Sequence, residues 1–295
     1  MDVEHIHPSF RYTCRLPDKE RIAFLQEQRW VGYARANRIV DMLHDLMETP
    51  KRSRMPNLLI AGPSNNGKTT VLRHFLDKYG QGYVNEDAEP VRRVIVTEAP
   101  PTADEKGLYV SILSQFRRPY RTTSSTVSLR YQVINMLRTC HVRLLAIDEF
   151  HSLLAGSAAK QREVMNAIKL LCNTLAIPIV GVGTGEAVTI LHTDPQHASR
   201  FDVVTLRPWK LDRDFQILLR GFEQILPLKK PSGLHRQELA VPLHAISEGN
   251  IGNLHQLLRA CAVEAIENGT EVIDKSLIEA HQWMQPTRGL RERVV

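Results

Sequence analysis

Cysteine is scarce in this chain of 295 residues: four occur, at Cys14, Cys140, Cys172 and Cys261, and they share no paired spacing. That scatter excludes a disulfide framework and a zinc cluster. The apolar neighbours of Cys140, Cys172 and Cys261 mark them as small core residues. Long hydrophobic runs are missing too, and none approaches the roughly 20 residues of a membrane-spanning helix. The first residues carry Asp2 and Glu4 around no apolar centre, so no secretory signal is expected and the compartment is read as cytosol or nucleoid. Neither sign of charge dominates. The 38 Lys and Arg against 32 Asp and Glu leave +6, which permits a polyanion partner without requiring one. Periodic repeats and low-complexity blocks are absent. Hydrophobic residues at 43% can fill the core of a body of roughly 200–250 residues plus a modest appendage.

What is present is a glycine turn set between a strand and a helix. An apolar run, Asn57 to Ala61, leads into Gly62, Pro63, Ser64, Asn65, Asn66, Gly67, Lys68 and Thr69, and Thr70 to Leu76 reads as a helix. This order is the context in which such a turn binds phosphate. The glycines let the backbone wrap an anion, and successive N–H groups and the helix N-terminus face it. Lys68 would reach the β- and γ-phosphates of ATP, and the Thr69 hydroxyl would ligate Mg²⁺. A partner motif follows at His141 to Phe150, where a continuous apolar run ends in Asp148 and Glu149. Such a run suits a central parallel strand covered on both faces. Asp148 would hold the Mg²⁺ shell, and Glu149 would orient the attacking water.

The rest of the chain frames these motifs. Residues 1–17 look irregular. A helical stretch carrying Ile22, Phe24, Leu25 and Trp30 follows, then a second from Ala34 to Met47. Tyr33 or Trp30 could stack on adenine or simply anchor the core. Val91, Val94, Ile95 and Val96 read as one strand, closed by Pro100 and Pro101. Helices follow at 103–116 and 127–137, separated by a basic, hydroxyl-rich segment. The interval from Lys68 to Asp148 thus holds a strand and two helices, which fits a P-loop ATPase with an extra strand between the two motif strands. A helix at 160–175 and a strand at 177–182 come next. Thr184, just past that strand, could sense the γ-phosphate or merely cap a turn. Val203 to Leu206 reads as a last short strand. Beyond Asp212 the pattern is helical: Phe215 to Phe222, Leu234 to Ile246 interrupted by Pro242, Ile251 to Ile266, and Asp274 to Trp283 with Asp274 as N-cap.

These features together resemble an AAA+ ATPase: an α/β three-layer core of the ASCE type around a central parallel sheet, followed by an all-helical lid. More narrowly, R-M-P-N-L-L-I-A-G-P-S-N-N-G-K-T-T, V-I-V-T-E-A-P-P, I-D-E-F-H, V-G-V-G-T and S-R-F resemble the TniB family of ATP-dependent regulators of bacterial DNA transposition, related to TnsC. The similarity covers roughly residues 12–285. It implies an ATPase of slow turnover that assembles on double-stranded DNA as a homo-oligomeric ring or helical filament. That assembly would recruit and activate a DDE-family transposase, with a TniQ-like target-selection partner, and come apart on hydrolysis. Carried onto this chain, Lys68, Thr69, Asp148 and Glu149 keep the roles given above and Thr184 becomes the γ-phosphate sensor. Arg200 becomes the finger that completes a neighbouring subunit's site. Lys106, Arg117, Arg118, Arg121, Thr122 and Thr123 would contact phosphates in the pore without reading sequence.

One departure stands out. The lid reads G-N-I-G-N-L-H, with Asn253 or a neighbour where related lids often place an arginine. The expected divisions are a helical preamble at 1–50, the nucleotide-binding domain at 51–210, the lid at 211–283 and a basic flexible tail at 284–295. On those divisions no winged helix is expected after the lid. Rival readings are a helicase-loader or replication-type ATPase and a scaffold that binds ATP without turnover. A signalling ATPase would want a repeat or effector domain.

Overall fold

The computed structural model describes residues 3–27, 29–116, 121, 123–192 and 199–286. In chain order its elements are α1 (Asp18–Gln26), α2 (Ala34–Glu48), β1 (Asn57–Ala61), α3 (Lys68–Tyr79), β2 (Tyr83–Val84), β3 (Pro90–Val91) and β4 (Val94–Glu98). Then come α4 (Glu105–Ser114), α5 (Thr126–Thr139), β5 (Leu144–Asp148), α6 (Ala158–Leu175), β6 (Ile179–Gly183), α7 (Ala187–Leu191) and β7 (Phe201–Thr205). Four helices follow: α8 (Arg213–Glu223), α9 (Gln237–Ser247), α10 (Ile251–Glu267) and α11 (Lys275–Ala280). The chain divides into a sheet unit, Arg35–Ser64 with Lys68–Leu206, and a helical unit, Met1–Ala34 with Asn65–Gly67 and Arg207–Val295.

In the sheet unit five strands run in the order β4-β5-β6-β1-β7, every neighbouring pair parallel. β6 therefore lies between the P-loop strand and the acidic strand, as the Lys68-to-Asp148 interval predicts. β1, β5 and β6 are buried along their whole length, which is why they read as unbroken apolar runs. On one face Leu108, Ile112, Leu129, Val133, Val164 and Ile168 pack with Ile95, Leu145 and Ile147. Each such side chain stabilises by about 1.5–3 kcal/mol on burial. Register sets Glu98 beside Asp148 and Ala61 beside Gly183, so the carboxyl ends that carry ligands in open α/β sheets lie level. The helices start where side chains accept the first free amides, at Asp104, Ser125 and Ser157.

One strand differs from expectation. Val91 does not continue into Val94 but pairs, through β3, antiparallel with β2. Asn85 closes that hairpin by accepting from the amides of Asp87 and Glu89. Two-residue strands carry too little alternation to be read from sequence.

The helical unit is pinned by Arg21, which is fully buried. Its guanidinium donates to the carbonyl of Pro227, to Asp18 and to both oxygens of Glu271, and Lys229 pairs with the same carboxylate at 2.8 Å. Asp274 caps α11 by accepting from Leu277 N. Here too the structure departs from the pattern. Residues Pro8–Arg15 form a 3₁₀ helix rather than an irregular lead, α1 ends before Trp30, and α9 carries Pro242 inside it without breaking.

Candidate nucleotide-binding site

β1 delivers the chain to the loop, and α3 leaves it at Lys68. Gly67 takes φ +80°, a conformation a side chain would strain. Lys68 is buried, and its ammonium donates to the carbonyls of Gly62 at 3.0 Å and Pro63 at 2.7 Å. Burial lowers the Lys68 pKa from its ordinary value, with Asp148 and Glu149 opposing the shift. A cation lodged among neutral carbonyls at the loop mouth is suited to an incoming anion. Thr70, on the next residue but one, is exposed.

Thr69 Oγ1 donates to Asp148 Oδ2 at 2.9 Å, and the Glu149 amide donates to Asp148 Oδ1 at 2.8 Å. One hydroxyl and one carboxylate are hard oxygen donors of the kind Mg²⁺ uses, since it keeps most of its waters and takes few protein ligands. No cluster of three or more His, Cys, Asp or Glu that could hold another metal occurs among the described residues. Glu149 itself sits in the left-handed region at φ 54°, and its Oε2 lies 3.4 Å from His151 Nε2. The Thr184 hydroxyl is buried at the end of β6 and has no hydrogen-bond partner among the described residues.

Within the helical unit, loop residues Asn65 to Gly67 meet the start of α10. Asn250 caps that helix, accepting from the amides of Gly252 and Asn253. Gly252 N donates to Asn65 O at 3.0 Å, and Asn65 Nδ2 donates to Asn253 Oδ1 at 3.1 Å. Ile251 N approaches Asn66 Oδ1 at 3.4 Å. A Cβ on Gly252 would lie 2.2 Å from Asn65 Oδ1, so only glycine fits there. Tyr33 is buried against Trp209 in an edge arrangement at 5.1 Å and stacks loosely with Trp30 at 6.5 Å. Its hydroxyl lies 3.7 Å from the position of a Cβ on Gly67.

The structure thus joins Lys68, Thr69, Asp148 and Glu149 by direct contact or chain neighbourhood, and holds Thr184 at the adjacent strand end. Arg200 is elsewhere: it donates to Asn173 Oδ1 at 2.7 Å, a neutral partner rather than an acid. Lys106 is half-buried in the first turn of α4, with its amide on the Asp104 cap. Arg121 and Thr123 are exposed, while Arg117, Arg118 and Thr122 lie outside the described residues. Sequence reasoning passed over Asn250 and Gly252, although an Asn-x-Gly before an apolar stripe is a cap signal. His151 gave no signal beyond its place two residues after Glu149.

A parallel sheet with the strand order β4-β5-β6-β1-β7, a glycine loop opening a helix, an acid-ended strand one place removed from the loop's own strand and an all-helical C-terminal region define the AAA+ ATPase fold. A family model described as "Bacterial TniB protein" matches residues 21–211, and the chain belongs to the TniB family. Among solved structures, the chain is similar to the ORC2 protein of Aeropyrum pernix in its ADPNP–ADP complexes. That match has 15% identity over 87% of this chain and 70% of that one, with a TM-score of 0.62. It also resembles the Walker-type ATPase paby2304 of Pyrococcus abyssi, at 18% identity over 88% and 75%, TM-score 0.57. A third is the ORC1 protein of Aeropyrum pernix in complex with DNA, at 15% identity over 88% and 68%, TM-score 0.52. At such identities the likeness shows the fold alone. No match was found among curated proteins. Among the described residues, no helix is long and apolar enough to cross a membrane.

Proposed function

We propose that this TniB-family protein is an ATP-dependent regulator of DNA transposition that assembles on target duplex DNA, recruits and activates a DDE-family transposase, and disassembles on hydrolysis. The observation that carries the reading is the Lys68–Thr69–Asp148–Glu149 arrangement at the mouth of a P-loop in a chain of this family. Thr69 and Asp148 would hold Mg²⁺, which supplies charge neutralisation on the phosphates. Lys68 and the loop amides would bind the triphosphate, Glu149 would orient water for in-line attack, and Thr184 would read the γ-phosphate.

Arg200 would act on a neighbouring subunit. In its own chain it is engaged by Asn173, and an arginine supplied in trans contributes on the order of 10³–10⁵ in rate in known phosphoryl transfers. An isolated subunit should therefore turn over weakly. Contact with phosphates would come from Lys106, Arg121 and Thr123 together with Arg117, Arg118 and Thr122. A TniQ-like protein would be the second partner, and the bacterial cytoplasm, at the nucleoid, the place of action. The fold's occurrence in ORC1 solved with DNA supports a DNA-bound role without specifying it.

The test is electron microscopy and sedimentation of the protein with duplex DNA under ATP, ADP and no nucleotide. ATP-dependent rings or filaments that retain DNA, and their loss in Lys68→Ala, are expected. A protein that stays single and releases DNA with every nucleotide overturns the proposal.

A further inference from the structure

Among the described residues, Glu149 has one side-chain partner, and that partner is itself anchored to the neighbouring strand. The His151 Nε2 lies 3.4 Å from Glu149 Oε2. The short 3₁₀ turn that carries the imidazole, Phe150–Leu154, packs against α7 and β6. The fit at the β6 terminus is close: a Cβ on Gly183 would meet His151 N at 3.1 Å, His151 Nδ1 at 3.5 Å and Ala187 Cβ at 2.9 Å. The same Gly183 accepts through its carbonyl from the amide of Gly62 at 3.2 Å, so the strand end that backs His151 also borders the phosphate loop.

Polar bookkeeping points the same way. A neutral imidazole has one N–H donor and one acceptor. Nε2 faces Glu149 Oε2, and the other ring nitrogen, Nδ1, is buried without a hydrogen-bond partner among the described residues. The next residue after Gly183 is Thr184, whose hydroxyl is buried in the same condition. Buried polar groups left unsatisfied are uncommon and gather where a ligand or catalytic rearrangement completes them.

We infer that His151 is a positioning residue, holding the Glu149 carboxylate in register with the β6 terminus and its Thr184. It rests on the proposed role of Glu149 as the water-orienting group. The left-handed backbone at Glu149, φ 54°, aims the side chain, and the imidazole fixes where along that direction its carboxylate stops.

The experiment is a double-mutant cycle in the full chain on duplex DNA, with ATP turnover and binding of a fluorescent ATP analogue measured for wild type, His151→Ala, His151→Gln, Glu149→Gln and the Glu149→Gln/His151→Ala pair. His151→Ala should lower kcat on the order of tenfold or more, as loss of an orienting partner does, while analogue affinity stays within about twofold. His151→Gln, which can still donate to the carboxylate, should recover part of the rate and carries the test if the alanine variant is unstable. In the Glu149→Gln background, removing His151 should add almost nothing. An equal loss in both backgrounds, a loss that follows analogue affinity, or an unchanged kcat overturns the positioning role. Full turnover by Glu149→Gln alone would instead remove the role of Glu149, and this inference with it.

Discussion

Among the described residues, each of the two units buries one long cation, Lys68 in the sheet unit and Arg21 in the helical unit, and the two are held in opposite ways. Lys68 donates to two neutral carbonyls, and burial leaves its pKa lowered. Burial works against the charge of Arg21 as well, but the hydrogen bonds and charge of Glu271 and the bond to Asp18 leave its pKa raised. A saturated buried cation stabilises a fold through its partners. A buried cation hydrogen-bonded to carbonyls, with carboxylates near it but not in ion-pair contact, is suited to a charge that arrives from outside.

Breaking the saturated pair should have the largest effect. Arg21→Ala would leave Glu271 buried beside Lys229 alone, a loss of about 3–5 kcal/mol by analogy with other broken buried pairs, read as a shift in the urea midpoint. Acid tests the same pair through its other member. Burial would raise the Glu271 pKa, but the hydrogen bonds from Arg21 and Lys229 and the charge of Arg21 bring it down to about 2 from 4.5. Its folded value lies below its unfolded one, so its contribution is fully present above about pH 4.5 and disappears as pH falls toward 2. That contribution is on the order of 3 kcal/mol, and Glu271→Gln should flatten this part of a stability-versus-pH curve.

Lys68→Ala should show the reverse signature. Nucleotide affinity should fall about a hundredfold or more, near 3 kcal/mol, in a nucleotide-binding titration. The melting temperature without nucleotide should stay level or rise, because a desolvated charge has been removed. A large fall in that melting temperature would erase the contrast between the two buried cations. Gly252→Ala drives a Cβ into Asn65 Oδ1 and should cost about 1–3 kcal/mol, with weaker nucleotide binding than its stability loss explains. Smallest is Asn250→Ala, which removes the α10 cap for about 1 kcal/mol, seen in thermal unfolding.

Much of the sheet unit was legible because its strands are covered on both faces. Leu58 to Ala61, Leu144 to Ile147 and Ile179 to Val182 need no partner sequence to be recognised as central strands. The hairpin of Tyr83–Val84 with Pro90–Val91 was not legible, since its pairing rests on the Asn85 turn rather than on alternation. The phosphate loop and the acidic pair stood out as contiguous motifs. Tyr33 was open between two uses, and the structure places its ring in a buried aromatic group with Trp30 and Trp209. Arg21 was invisible as a keystone, because its carboxylate partner is 250 residues away.

The sequence by itself determined the elements whose cause is local: the glycine loop between β1 and α3, the apolar central strands, the Asp274 cap and the apolar stripe of α10. Tertiary structure decided what depends on residues distant in the chain. It placed Thr69 on Asp148, His151 against Gly183, Gly252 on Asn65, and Arg21 on Glu271. Local conformation follows from sterics and hydrogen bonds within a few residues. A buried charge or carboxylate takes its meaning from whichever groups the fold brings within about 4 Å.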